Sequence, residues 1–215
     1  MKQSLNRIFA VSLLFAGCLL FSCTSRLKEP AMEPVDYVNP YMGNISHLLV
    51  PTFPTVHMPY SMLRVYPERR DFTGDLLEGL PIIVTSHRGS SAFNLSPFSR
   101  KDHGLKPVIA YHYDNEEITP YSYSVYLEEE GVAVEYGLSR QSAIYELSFE
   151  EGDEIGIVLN SRRGELSWDG TALSGYQLIE NNTKVYLYLL PEQPPLSVSA
   201  LKNNELTGET SVSGR

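Results

Sequence analysis

The sequence predicts an all-β chain, an antiparallel β-sandwich that follows a signal segment. Three observations predict it. The runs Tyr121 to Leu127, Val132 to Leu138 and Ser142 to Phe149 each alternate along the chain, the period of a half-buried strand. Turn signals separate the strand-like runs; Asp169-Gly170 is one suited to a tight hairpin, where positive φ is required. No stretch between residues 35 and 215 sustains a helical period.

The chain opens with an address. Lys2 and Arg7 supply positive charge, and Ile8 to Phe21 is an uncharged apolar run, shorter than the ~20 residues that span a bilayer. This is the pattern of a secretory signal. It ends at Ser22-Cys23, which looks like a bacterial lipobox with Cys23 as the lipidated residue. Leu14 to Cys18 forms a competing box, and an ordinary cleaved signal with two incidental cysteines is the other reading. Cys23 uses the full apolar run, so 1–23 is read as a lipoprotein signal and 24–34 as a tether. Lipidation would anchor a water-exposed domain at the cell envelope, through acyl chains buried in the membrane. No cysteine follows Cys23, which excludes disulfides and thiolate metal sites from the remainder.

Residues 35–215 are enough for one domain with its own core, read either as whole or as cut short at its C-terminus. The stretch Val35 to Pro67 carries Pro40, Pro51, Pro54, Pro59 and Pro67, which exclude a helix there by removing amide donors and extending the preceding residues. It is too rich in aromatics for a disordered linker, so it reads as a strap on a β-core or as a binding rim. Glu68 to Gly79 reads as a polar loop, Leu80 to Ser86 as a buried strand, and His87 to Gly104 as a long irregular loop. Val108 to His112 reads as a strand, followed by the three alternating runs. Ile155 to Leu159, Glu165 to Trp168, Thr171 to Leu178 and Lys184 to Leu190 complete a meander.

The formal charge is -9, and removing Lys2 and Arg7 makes it two units more acidic. Such a surface lacks the basic footprint of nucleic-acid binding and disfavours anionic glycans. Neutral sugars or a protein partner remain open. The 14 Tyr and 8 Phe suit strands and sugar-stacking surfaces alike.

The five histidines, His47, His57, His87, His103 and His112, show no metal-ligand spacing. No nucleophile elbow or phosphate loop appears. Glu116-Glu117, Glu128 to Glu130 and Glu150-Glu151 read as solvated turn residues rather than a hydrolytic pair. His87 to Ser91 is a polar, Gly-bearing loop after a buried strand, able to offer hydrogen bonds to a ligand.

Two blocks together resemble a known family. Tyr37-Val38-Asn39-Pro40-Tyr41-Met42-Gly43, then Thr52-Phe53-Pro54, then Met58-Pro59-Tyr60-Ser61-Met62, is similar to the opening of glycoside hydrolase family 92. Lys106-Pro107, Thr119 to Leu127, Val132 to Ala143 and Leu173 to Tyr176 resemble later strands of the same family in the same order. The resemblance implies a galactose-mutarotase-like supersandwich, the N-terminal part of a calcium-dependent, inverting α-mannosidase. It implies that the catalytic carboxylates and most calcium ligands lie on a helical barrel that follows the sandwich. No catalytic residue and no metal ligand is therefore assigned within this chain, and calcium is implied only for the complete enzyme. The expected partners are a neutral α-mannoside, the barrel domain or a protein, and a membrane reached through the lipid anchor. The residues nominated for substrate contact are His57, at the end of the segment expected to face a cleft, and His87 and Arg88, in the loop that stands where the family carries a histidine. Two departures stand out. The glycine of the family's P-[FW]-G-M motif is Ser61 here, and no Trp occurs between Gly74 and Ser96. A second reading is a stand-alone surface lipoprotein that scaffolds a protein partner.

Overall fold

The computed structural model describes residues 32–43, 53–69, 74–85, 91–152, 154–202, 205–206 and the backbone of 211–213. The signal segment with Cys23, most of the tether, and the segment 86–90 with His87 and Arg88 lie outside them. The chain divides into two units, 1–37 and 38–215. The described part of the first holds one 3-10 turn, Pro34–Tyr37. The turn is closed by the Asp36 N–H on the Glu33 carbonyl (2.9 Å) and by the Asp36 carboxylate accepting the Glu33 N–H (2.8 Å). The prolines of this stretch exclude a helix interior, but Pro34 opens the turn, where a missing N–H costs nothing.

The second unit is all-β and antiparallel throughout its described sheets. Its strands are β1 (Leu76–Leu77), β2 (Leu80–Val84), β3 (Ser91–Phe98), β4 (Tyr111–Ile118), β5 (Ser122–Leu127), β6 (Val132–Leu138), β7 (Ala143–Phe149), β8 (Gly156–Asn160), β9 (Gly164–Trp168), β10 (Leu173–Leu178), β11 (Lys184–Leu189), β12 (Leu201–Lys202), β13 (Glu205–Leu206) and β14 (Ser211–Ser213). A five-stranded sheet runs β1-β4-β5-β6-β7, a three-stranded sheet β2-β3-β8, and a four-stranded sheet β11-β10-β9-β14; β12 and β13 pair alone.

The five- and three-stranded sheets share one core. The inward positions of β5 and β6 (Tyr123, Val125, Leu127, Val132, Val134, Tyr136) pack in one cluster with Leu80 of β2, Leu95 of β3, and the fully buried Val56 and Val65. The alternation read from the sequence is what puts them there: β5 and β6 bury every second residue. Tyr123, Tyr136 and Tyr145, register partners across three strands, form an aromatic ladder with ring centroids 4.8 and 5.1 Å apart.

Three segments differ from the sequence reading. The loop expected over His87 to Gly104 contains β3, a central strand paired on both sides. Its polar residues Asn94 and Ser96 are buried and hydrogen-bonded, which broke the apolar pattern a strand search relies on. The strand expected at Val108 begins at Tyr111 and continues to Ile118. It passes through a bulge between Asp114 and Glu117, with Asn115 at φ 53, so the acids that read as a turn belong to a strand. The Glu68 to Gly79 loop carries β1 and the buried Arg69.

Candidate functional site

Residues 53–69 form an irregular hairpin held by one bridge, Val56 to Val65. At its open end Phe53 stacks on Tyr66, with centroids 4.7 Å apart and planes within 9°. Burial pushes the Tyr66 hydroxyl up to about 12; Glu68 adds to the shift, while Arg64 and Arg162 oppose it. Two residues on, the Glu68 carboxylate is mostly buried and faces the three-stranded sheet. Its Oε1 accepts from the Arg162 guanidinium at 2.9 Å. Its Oε2 accepts from Ser91 Oγ (3.4 Å) and Asn94 Nδ2 (3.3 Å). Asn94 also donates to the Glu78 carbonyl at 3.0 Å. Gly79, at φ 76, lets this happen: a Cβ there would stand 2.1 Å from Asn94 Oδ1.

The two bonds on Oε2 are at the long end of the range, so a ligand hydroxyl can replace either at small cost. Arg162 is half-exposed and supplies further donors. A carboxylate, a guanidinium, an amide and a flanking aromatic pair are the groups that recognise a sugar's vicinal hydroxyls and apolar ring face. The Val84 N–H donates to the Arg64 carbonyl at 2.7 Å.

The hairpin tip lies at the other end. His57, nominated from the sequence, is exposed, with Nε2 at 3.4 Å from the Ser61 carbonyl. Tyr60 takes φ 57 and is 96% exposed. The tip is laced to the turn between β6 and β7. Ser61 Oγ lies 3.1 and 3.2 Å from the carbonyls of Ser139 and Arg140, and the Met62 N–H donates to the Arg140 carbonyl at 2.8 Å. The residue that replaces the family's glycine therefore contributes a hydroxyl that a glycine could not. An open cleft of about 630 Å³ lies here, lined by Tyr60, Met62 and Ser139 to Ser142. Val65 packs into the core as a strap residue would, while Tyr60 and Met62 are exposed on the rim.

His57 is thus placed at the tip, away from the Glu68 end, and does not join the site there. Glu68 and Arg162 were missed. Nothing in their sequence neighbourhoods marks them, because 94 residues separate them along the chain.

Two acids read as solvated turn residues are withdrawn from water: Glu130 is buried, and the Glu116 side chain is 10% exposed. Glu116 pairs with Arg69 and accepts from the Tyr123 hydroxyl (3.1 Å) and the Tyr41 hydroxyl (3.3 Å). Arg69 also donates to the Tyr113 hydroxyl at 2.7 Å. Burial, then the Glu116 charge, pushes Tyr41 and Tyr123 up. Glu130 accepts from the Ser99 N–H (2.6 Å), Ser99 Oγ (2.9 Å) and His103 Nδ1. Each carboxylate is enclosed by its own donors, and each braces two segments of the sandwich. Among the described residues no three His, Cys, Asp or Glu side chains gather as a metal site. No helix of the described residues is long and apolar enough to cross a membrane.

Residues 37–215 match the Glycosyl hydrolase family 92 N-terminal domain, and the chain belongs to that family. The fold matches the family GH92 alpha-mannosidase BT3965 from Bacteroides thetaiotaomicron with a TM-score of 0.70 at 16% identity, covering 84% of this chain and 30% of that one. The same enzyme in complex with mannoimidazole matches equally, at 17% identity, with 84% of this chain and 29% of that one covered. The chain thus spans less than a third of the length of these solved structures. No curated protein matches.

Proposed function

We propose that this chain is a carbohydrate-binding sandwich module of an α-mannosidase-like glycoside hydrolase, and that it holds a neutral α-mannoside at the Glu68 end of the 53–69 hairpin. The observation that carries this reading is the Glu68 carboxylate, shared by Arg162, Ser91 and Asn94 beside the Phe53–Tyr66 stack. His87 and Arg88, nominated from the sequence, lie outside the described residues. The buried carboxylates of the sandwich are engaged as braces, so the acid and base of an inverting reaction would come from outside it. In this reading lipidation at Cys23 tethers the domain to the cell envelope.

Calorimetric titration with methyl α-mannoside tests it. Binding in the millimolar range or tighter is expected, reduced at least tenfold by Glu68→Gln with the melting temperature preserved. A folded chain that shows no heat at millimolar ligand refutes the reading.

A further inference from the structure

We propose that the outward face of β10 and β11 is a second, separate platform for a neutral glycan, on which Tyr186 and Tyr188 stack pyranose rings. The two side chains lie two residues apart on β11, so they share one face about 7 Å apart. They are 73% and 69% exposed. Which face looks outward is settled by packing. Val185, Leu187 and Leu189 of β11 are half-buried on the reverse side, and Gln177 of β10 is buried there against β3.

Neighbouring strands furnish the platform. Tyr176 pairs in register with Tyr186, with ring centroids 6.2 Å apart and planes tilted by 54°. Lys184 Nζ sits 4.0 Å from the Tyr176 ring centroid and occupies that ring, which leaves Tyr186 and Tyr188 as the open surfaces. Ser174 lies opposite Tyr188, and Ser167 follows on β9. An aromatic stripe therefore borders a hydroxyl-bearing one, matching the apolar face and polar rim of a sugar ring.

Charge and area select the occupant. Lys184 and Glu165, which lies opposite Tyr176, balance on this face, and an anionic ligand would find no cluster of cations. The exposed area of the two tyrosines is roughly 300 Å², well below the about 800 Å² per partner that a stable protein interface uses. A saccharide of two or three rings fits that area. The inference shares only the glycan class with the Glu68 reading and uses none of its residues.

Affinity electrophoresis of the full chain through a gel containing neutral α-mannan tests it, with melting temperature and sedimentation recorded for every variant. Mannan is expected to retard the protein. The double variant Tyr186→Ala/Tyr188→Ala should lose at least tenfold in apparent affinity, and Tyr186→Phe/Tyr188→Phe, which keeps the rings, should lose less than threefold. Ser174→Arg, which crowds the platform and leaves the tyrosines in place, should weaken retardation as much as the alanine pair does and guards against a misfolded alanine variant. Tyr186→Ala/Tyr188→Ala should keep the methyl α-mannoside heat that Glu68→Gln loses, so the two sites fail separately. Unretarded wild-type protein, equal loss in the Phe and Ala variants, or a wild-type dimer that the Ala variant dissociates would each overturn the proposal.

Discussion

The side chain of Gln177 on β10 accepts the main-chain N–H of Phe93 on β3 at 2.8 Å, joining the four-stranded sheet to the three-stranded one. Phe93 adopts φ 58, rare for a bulky residue, and both residues are buried. The same amide donates to the Ser91 carbonyl at 3.3 Å. Gln177→Leu strands a buried N–H and should cost about 2 kcal/mol. Gln177→Glu keeps the acceptor but buries a carboxylate that faces the Ser91 carbonyl, and should cost more at neutral pH. Urea unfolding midpoints for the two variants check the order.

The Glu128 to Glu130 turn contains one acid that matters for stability and one that does not. Glu128 is exposed, whereas Glu130 is 1% exposed and carries the Ser99 and His103 bonds. Glu130→Ala should destabilise by about 3 kcal/mol, since it leaves buried donors without their acceptor. Glu128→Ala should change stability by less than about 0.5 kcal/mol. Thermal melts of both variants in one buffer make the comparison.

Alkaline pH should unfold the domain through its tyrosines. Burial raises Tyr66 to about 12, and raises Tyr123 and Tyr136 well above the ordinary value. A raised folded pKa means the unfolded chain loses its proton first. The stabilisation is complete below about pH 10 and is lost as pH climbs toward the folded values. The hydroxyls of Tyr136 and Tyr145 have no hydrogen-bond partner among the described residues, so nothing there favours their ionised forms. The part of the tyrosinate absorbance that comes from the buried rings should appear in step with loss of the β-sheet circular dichroism signal. Smooth titration of every tyrosine in a still-folded protein would contradict this.

Glu135 of β6 and Glu146 of β7 lie directly opposite each other on the exposed face of the five-stranded sheet. Like charges so placed repel. Glu146→Lys should stabilise the protein by a few tenths of a kcal/mol, and the gain should shrink as salt is raised from low to molar concentration. Melting temperatures at the two ionic strengths report both effects.

The regular half of the domain was legible because local pattern and tertiary role agree there. β5 and β6 bury alternate residues, β7 alternates half-buried with exposed ones, and the Asp169-Gly170 turn closes β9 and β10, whose Trp168 and Leu173 are paired. β3 was hidden because Asn94 and Ser96 buy their burial with hydrogen bonds made to groups far along the chain. Glu116 and Glu130 looked solvated for the same reason, since Arg69 and Ser99 lie dozens of residues away. The motif Phe53-Pro54 did mark one edge of the candidate site through the Phe53–Tyr66 stack. Glu68 and Arg162 left no local trace, being brought together only by the packing of the hairpin on the sheet.

Gly79 gives the sandwich an unexpected point of vulnerability. Any side chain at that tight turn must evict the Asn94 amide, and Asn94 is one of the groups holding the Glu68 carboxylate in place. A substitution in a two-residue connection, touching no ligand, would be transmitted as a misaligned carboxylate. In a population of sequences such a change would register as lost recognition in a domain that still folds and reaches its destination.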